Sequence, residues 1–565
     1  MLAFGAQRKW DIASLDHARV QAFARALNGP GILAQLLLLR GVDTPEKAHD
    51  FLQPRLQHLS DPFLLTDMDA AVDRITRARV RGEKVFVAGD FDVDGISATA
   101  IMVNGLRRFG IDDVSYSIPL RLTEGYGIQP CHVEAARDAG ATLIVTVDNG
   151  ISAHEAAHRA RELAIDMIIT DHHALDTTLP EAVAVINPKR ETPAHPAWSL
   201  CGAAVAFKVA TALNGTPNDL DIVALGTVAD VMPLTGENRA LVALGLRHMA
   251  RHQRTGLAKL AEAARFDLSQ VSSQRIGFQL GPRLNAAGRL DDGMVALELL
   301  MADCPIAATK MAGKLDEANE KRRAIEREIF DDARSELEET LTEDQRSIVI
   351  ARPGWHAGVI GIVAARIQGH FNRPVILLTV DDAGNVRGSA RSGPGFNMFD
   401  ALAACQHLLT RFGGHKAAAG LSMNLSELDA FKEAFEEQVR AQIGTEEVVE
   451  TLSIDAVAGF SQINAELLDG LSRLEPFGQA NPEPLFCSMG VEARPEEVRI
   501  LKDAHLKMTL RQGDRMLSAI GFGMAERFYT DDFPRCLDVA YAPQYNTWRG
   551  ETTIQLQLKD LRPAT

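Results

Sequence analysis

The chain has 565 residues, of which 46% are apolar and 24% charged, with a formal net charge of −16. That length exceeds one ordinary core and predicts three or four domains; no apolar run reaches the roughly 18 residues that a bilayer span needs. The acidity argues against a non-specific DNA coat, which depends on Lys and Arg, but leaves room for an enzyme with a local basic groove.

The opening residues, MLAFGAQRKWDI, contain no apolar signal core. Six cysteines (Cys131, Cys201, Cys304, Cys405, Cys487 and Cys536) sit at no zinc-ligand spacing and outline no disulfide framework. The expectation is a cytoplasmic protein with no membrane anchor.

Residues 1–80 are predicted to be mostly helical, as in VQAFARAL and MDAAVDRITRARVRG, with breaks near Asn28–Gly31 and Pro54. Residues 81–304 form the predicted first large domain. From about 84 to 230 short Val- and Ile-rich runs alternate with helical stretches, the pattern of a buried parallel sheet. KVFVAGD, TLIVTVDNG and DMIITDHH each end in charged or metal-capable residues. In an open α/β sheet the ligand crevice lies beyond the carboxyl ends of the strands, so three strands deliver such groups to one edge.

Residues 305–341 read as one long charged amphipathic helix linking two lobes. A second, smaller α/β lobe follows over 342–445, and short alternating strands over 451–565 predict an antiparallel β-barrel of the OB type.

Four segments carry the chemistry. GDFDVDG places Asp90, Asp92 and Asp94 at alternate positions, on one face if the backbone is extended; an acidic loop, or a helix cap at Asp94, is the other reading. TVDNG puts Asp148 at a strand end, although Asp-Asn-Gly taken alone is a turn. TDHH brings Asp171, His172 and His173 to another strand end. GTVADVMP sets Asp230 in an apolar phrase, where an ionised carboxylate is costly unless paired or metal-bound. Together they make a carboxylate-dominated set with imidazole, suited to two Mn²⁺ or Mg²⁺ ions and to hydrolysis at phosphorus.

On these segments the chain resembles the DHH phosphoesterase superfamily, and within it the bacterial single-strand-specific DNA exonucleases. VAGDFDVDGISATA, LIVTVDNGIS, MIITDHH, ALGTVADVMPL, FQLGPRLNAAGRLDD, WHAGVIGIVAARI, GSARS and FGGHKAAAGL occur in family order over nearly the whole chain. The resemblance implies a DHH-type parallel-sheet lobe, a linking helix, a DHH-associated lobe and an OB-fold. It also implies a 5′→3′ exonuclease that degrades single-stranded DNA to mononucleotides in recombination and repair, with single-strand-binding protein and a RecQ-type helicase as partners.

The same resemblance assigns roles. Asp92, Asp94, Asp148, His172 and Asp230 would ligate two cations, with Asp148 bridging and Asp90 a ligand or a support. His173 would contact the scissile phosphate and Asp171 would orient the histidines. Arg121 and Tyr126, with Ser389 and Arg391 from the second lobe, would hold the 5′ end. Arg283, Asn285 and Arg289 would contact the DNA backbone, and Gly413, Gly414 and His415 would cradle a phosphate. In the barrel, His505, Lys507 and Trp548 are candidate strand contacts. Trp355 fits a core position as well as a functional one.

Ala88 stands where small pyrophosphatase-like relatives carry a metal-binding His. A small-substrate phosphoesterase is the alternative enzyme, but such relatives generally lack GPRLNAAGR and the barrel. An inert DNA-binding scaffold is the non-enzymatic alternative, and the intact acidic set argues against it.

Overall fold

The computed structural model describes residues 8–120, 127–290, 293–342, 344–381, 383–393, 395–444, 451–525, 533–548 and 550–564. They form two compact units, one from residues within 1–60, 231–244 and 449–565, the other from 61–230 and 245–448. No single helix among the described residues is long and apolar enough to cross a membrane.

The first unit begins with β1 (Lys9–Ile12), α1 (His17–Leu27), α2 (Gly31–Leu39) and α3 (Pro45–Leu52). The sequence signals explain the helices. Asp16 caps α1, Asn28 ends it in the left-handed conformation, and Thr44 caps α3 with Pro45 in its first turn. Strand β1 departs from the helical expectation, because its partner lies at the other end of the chain.

The second unit is built on α4 (Met68–Arg81), β2 (Val85–Ala88), α5 (Val93–Arg108), β3 (Val114–Ser117), α6 (Pro130–Asp138), β4 (Leu143–Val147), α7 (His154–Glu162), β5 (Asp166–Thr170) and β6 (Ala184–Ile186). The five strands are parallel in the order β3-β2-β4-β5-β6. Strands β2 and β4 are buried along their whole length, which accounts for their unbroken apolar runs. Strand order reverses between β2 and β4, so a crevice opens where Asp90 and Asp148 leave the sheet.

Helices α8 (Gly202–Asn214), α9 (Leu220–Ala229), α10 (Gly236–His252) and α11 (Thr255–Ala263) follow. Then α12 (Ser273–Arg275) runs through a π-helical turn, Ile276–Leu280, into α13 (Gly281–Leu290). After α14 (Met294–Leu300), α15 (Pro305–Thr340) is the expected long helix. It leads to β7 (Ile348–Pro353), α16 (Ile360–Phe371), β8 (Val375–Val380), β9 (Asn385–Arg391), α17 (Met398–Ala404), β10 (Arg411–Gly414), β11 (Ala418–Asn424) and α18 (Leu428–Ile443). This sheet has the order β10-β11-β9-β8-β7, with only β7 and β8 parallel.

The first unit is completed by β12 (Thr451–Ile454), β13 (Ala456–Val457), α19 (Ala465–Ser472), β14 (Phe486–Ala493), β15 (Arg499–Leu501), β16 (His505–Gln512), β17 (Arg515–Gly521), β18 (Cys536–Trp548) and β19 (Glu551–Pro563). Strand β12 pairs with β1 in parallel. Strands β14, β18, β19, β17 and β16 follow one another around a sheet that the β14–β16 pairing closes into a barrel. The expected antiparallel pattern holds except at β13–β14 and β17–β19, which are parallel. Buried Phe460, Phe486 and Tyr541 fill its core, and Tyr541 shares a 2.7 Å hydrogen bond with Ser488 Oγ.

Residues 231–244 belong to this unit through Arg239. Its buried guanidinium lies 3.7 Å over the Phe51 ring and donates to the carbonyls of Phe51, Leu474 and Glu475 at 3.0, 2.8 and 2.8 Å.

Candidate metal centre

Strand β2 ends at Ala88, and the acidic loop turns at once into a helix. Asp92 is the N-cap of α5, its Oδ1 accepting the N–H groups of Asp94 and Gly95 at 2.9 and 3.1 Å. The extended arrangement that would put Asp90, Asp92 and Asp94 on one face therefore does not form. Asp92, rather than Asp94, is the cap. Gly95 lies inside α5, where a β-carbon would come within 2.6 Å of Asp90, so the glycine serves close packing of the loop.

Asp94, in the first turn of α5, reaches the start of another helix. Its Oδ2 accepts the Gly202 N–H at 2.7 Å and its Oδ1 accepts that of Ala203 at 3.0 Å. Unpaired amides at a helix start donate readily to such an oxygen, so the start of α8 fixes the Asp94 carboxyl in position.

Asp148 follows β4 with φ 61°, a left-handed backbone that costs about 1–3 kcal/mol for a non-glycine residue. Its neighbour Asn149 holds the turn. Asn149 Nδ2 donates to Ala88 O and Val147 O at 3.0 and 2.9 Å, while its Oδ1 accepts the Ile128 N–H. The β2 and β4 exits are thereby tied together. The sequence marked Asn149 only as part of a turn.

Asp171 and the two histidines follow β5. Asp171 is fully buried; its Oδ1 accepts the His172 and His173 backbone N–H groups at 2.7 and 3.1 Å and lies 2.7 Å from His173 Nδ1. Burial pushes the Asp171 carboxyl up, but the His173 hydrogen bond and the nearby imidazoles hold it below its ordinary value. It is a carboxylate, so His173 Nδ1 carries the proton. Burial alone would lower the His173 pKa; Asp171 overcomes that and raises it to about 9. Asn187 adds a hydrogen bond to His173 O at 3.0 Å.

His172 stands at the centre. Its Nε2 lies 3.1 Å from Asp148 Oδ1 and 3.7 Å from both Asp94 Oδ2 and Asp230 Oδ2. Asp230 is the C-cap of α9, an end where the helix dipole disfavours a carboxylate. Ligand atoms of Asp90, Asp92 and Asp148 lie within 4.8 Å of one another, as do those of Asp94, His172 and Asp230, and those of Asp148, His172 and His173. Asp148 thus belongs to two overlapping sets.

The electrostatics fit cations. Burial, reinforced by Asp94 and Asp92, drives the Asp148 carboxyl well above its ordinary range. The same causes push Asp230 up to about 8, and burial with Asp94 raises Asp92. Such a crowd of buried carboxylates is costly without positive charge among them, and two divalent ions on oxygen and imidazole ligands supply it.

The remaining candidates lie outside these ligand sets. Arg121 and Tyr126 are outside the described residues. Asn285 turns inward, its Oδ1 accepting the Val93 N–H at 3.2 Å and so bracing the acidic loop. Arg283 is tied to α15 by Asp316, at 2.9 Å. Arg289 donates to Gly358 O at 3.1 Å. Ser389 and Arg391 share a face of β9, with Arg391 Nη1 donating to Ser389 Oγ at 3.1 Å. Gly361 of α16 lies against both, and a β-carbon there would come within 2.8 Å of Ser389 Oγ.

Gly413 and Gly414 lie on the edge strand β10, and His415 N–H closes its hairpin on Ala418 O. Trp355 is in the core, with Nε1 donating to Asp332 at 3.1 Å. On the barrel, Lys507 is exposed beside Arg499 on the neighbouring strand. The His505 ring centroid lies 5.3 Å from that of Phe522. The Trp548 side chain is outside what is described.

Comparison with known proteins agrees with this construction. Residues 84–227 match the DHH family N-terminal domain, 344–441 the DHHA1 domain, and 454–560 the RecJ OB domain. The chain is 35% identical over 557 residues to the single-stranded-DNA-specific exonuclease RecJ of Bacillus subtilis, covering 98% of this chain and 70% of that one. It is 36% identical over 561 residues to the RecJ of Salmonella typhimurium, covering 94% and 96%. Among solved structures, RecJ from Thermus thermophilus in complex with Mn²⁺ superposes with a TM-score of 0.84 at 31% identity, over 99% of this chain and 80% of that one. The Mg²⁺ complex from the same organism gives 0.79 at 29% identity, over 99% and 79%. On the strength of these likenesses and of its three domain matches, the chain belongs to the RecJ family of DHH phosphoesterases.

Proposed function

We propose that this chain is a single-strand-specific DNA exonuclease that works 5′→3′ and releases mononucleotides by hydrolysis. The observation that carries this reading is the position of Asp148 between two ligand sets. The relatives' names supply the substrate class.

In this reading the catalytic domain covers 81–304, the linking helix 305–341, the DHH-associated domain 342–445 and the OB domain 451–565, with 1–80 as a helical N-terminal region. Asp92, Asp94, Asp148, His172 and Asp230 hold the cations, Asp148 bridges, and Asp90 supports. When bound, two such ions polarise a phosphodiester and lower the pKa of water.

The chain's own groups do the rest. Asp171 fixes the His173 ring through its hydrogen bond to Nδ1, so the imidazole is held to meet the charge that develops on phosphate. The α8 amides hold Asp94 in place. Arg391 and Ser389, with Arg121 and Tyr126, take the terminal phosphate and set the polarity; a guanidinium fork suits that group. Gly413, Gly414, His415, Arg283, Asn285, Arg289 and Lys507 guide the strand. Single-strand-binding protein and a RecQ-type helicase are its proposed partners, in cytoplasmic recombination and repair.

The experiment is digestion of end-labelled single- and double-stranded DNA with Mn²⁺, Mg²⁺ or chelator. Mononucleotides released from the 5′ end of single strands alone, and only with metal, are expected. Digestion from the 3′ end, or of blunt duplex at an equal rate, overturns the reading.

A further inference from the structure

The sequence presents α15 as a charged amphipathic linker, yet Arg322 in its middle is only 8% exposed. Its Nη1 donates to Glu326 Oε2 at 2.7 Å and its Nη2 to Asn319 Oδ1 at 2.9 Å. Its Nε is buried with no hydrogen-bond partner among the described residues. A desolvated cation with an unspent N–H is costly unless something else pairs with it.

Arg322 lines a cavity of about 210 Å³ with Ala229, Pro282, Asn285, Arg289 and Ile362. Among the described residues two guanidinium groups and one amide line it, and no carboxylate does. Glu326, which pairs with Arg322, is shared with Arg366 at 3.6 Å. The place is as informative as the charge. Ala229 immediately precedes Asp230, and Asn285 accepts the backbone N–H between Asp92 and Asp94. The cavity therefore adjoins the acidic cluster on two sides, where those carboxylates would repel a strand unless basic groups met its next phosphate.

We propose that Arg322, with Arg289 and Asn285, forms a subsite for an internucleotide phosphate of the single strand on the 3′ side of the scissile bond. The subsite rests on the nuclease reading and deepens it. Arg322 acts as a positioning residue, holding the strand so that the scissile phosphate meets the cluster. It contributes no proton or bond to the reaction.

The test uses single-stranded oligonucleotides with one neutral methylphosphonate at successive linkages from the 5′ end, cut by wild type, Arg322→Gln and Arg322→Lys. In wild type one linkage beyond the scissile bond should lower kcat/KM by about tenfold or more, the worth of a hydrogen bond to a charged group. Arg322→Gln should be slower on unmodified strand and show no further loss at that linkage, while the other linkages keep theirs. Arg322→Lys should recover part of the effect. Penalties that simply multiply in Arg322→Gln at every linkage overturn the proposal.

A released nucleotide offers the same chemistry, so inhibition by deoxynucleoside monophosphate is measured alongside and should be equal in wild type and variant. Weaker inhibition with an unchanged methylphosphonate profile gives the cavity to the product and overturns the strand assignment. If neither variant folds, the wild-type series decides, since no penalty beyond the scissile linkage rejects the subsite. Failure of wild type to cut any strand removes the nuclease reading instead.

Discussion

Gly202 approaches Asp148 so closely that a β-carbon on it would lie 2.3 Å from Asp148 Oδ1. The same glycine donates its N–H to Asp94 at 2.7 Å. One residue at the start of α8 thus sets the distance between two of the proposed metal ligands.

Gly202→Ala should therefore damage the centre more than the fold. The added methyl must move α8 or Asp148, at about 1–3 kcal/mol of stability. A displacement near 1 Å costs on the order of 10²-fold in rate. Thermal melting and nuclease rate measured on the same preparation check this, and a variant with wild-type kcat would contradict it.

Asp148→Asn should separate stability from function. The Asp148 carboxyl is pushed up by burial and by Asp94, so keeping it ionised at neutral pH costs the metal-free protein stability. The variant without metal should melt above wild type. Mn²⁺ at about 100 times its dissociation constant should stabilise wild type by about 2.7 kcal/mol, and the variant by much less. Calorimetry with and without Mn²⁺ reads both effects, and equal metal shifts would remove Asp148 from the centre.

Asp171→Asn should act through His173. The amide keeps the shape but cannot hold the proton on Nδ1 as the carboxylate does. A fall in kcat of about 10–100-fold, the usual cost of losing a group that orients a site histidine, with little change in KM, is expected. A change confined to KM would argue against this role.

Arg391→Ala should weaken the preference for a 5′-phosphorylated end. Competition between phosphorylated and hydroxyl-ended strands measures it. The preference should drop about tenfold or more, as for loss of a charge-assisted hydrogen bond, and an unchanged ratio would take Arg391 out of the end pocket.

The strand ends were legible because a buried parallel strand is an apolar run, and a polar group straight after it has few structural uses. Asp148 and His172 stood out on that ground, Asp230 as a carboxylate inside an apolar phrase, and the structure brings the three together. The backbone that aims them was not legible. Nothing in GDFDVDG tells an extended loop from a helix start capped by Asp92. Gly202 and Asn149 act through contacts whose partners are 54 and 61 residues away, at Asp148 and Ala88. Strand β1 was missed because its partner β12 lies more than 400 residues on, beyond local periodicity. Arg322 was hidden by charge, since an arginine in an amphipathic helix rich in Glu, Lys and Arg reads as part of the solvated face, although this one is turned inward.

In the proposed reading the cluster around Asp148 hydrolyses the strand. The direct test is the release of mononucleotides from 5′-phosphorylated single-stranded DNA in Mn²⁺ by wild type and Asp148→Asn, with binding of the same strand measured in parallel. The variant should bind the strand within a few-fold of wild type and release nothing above the chelated control. Release at a rate within tenfold of wild type would contradict the claim.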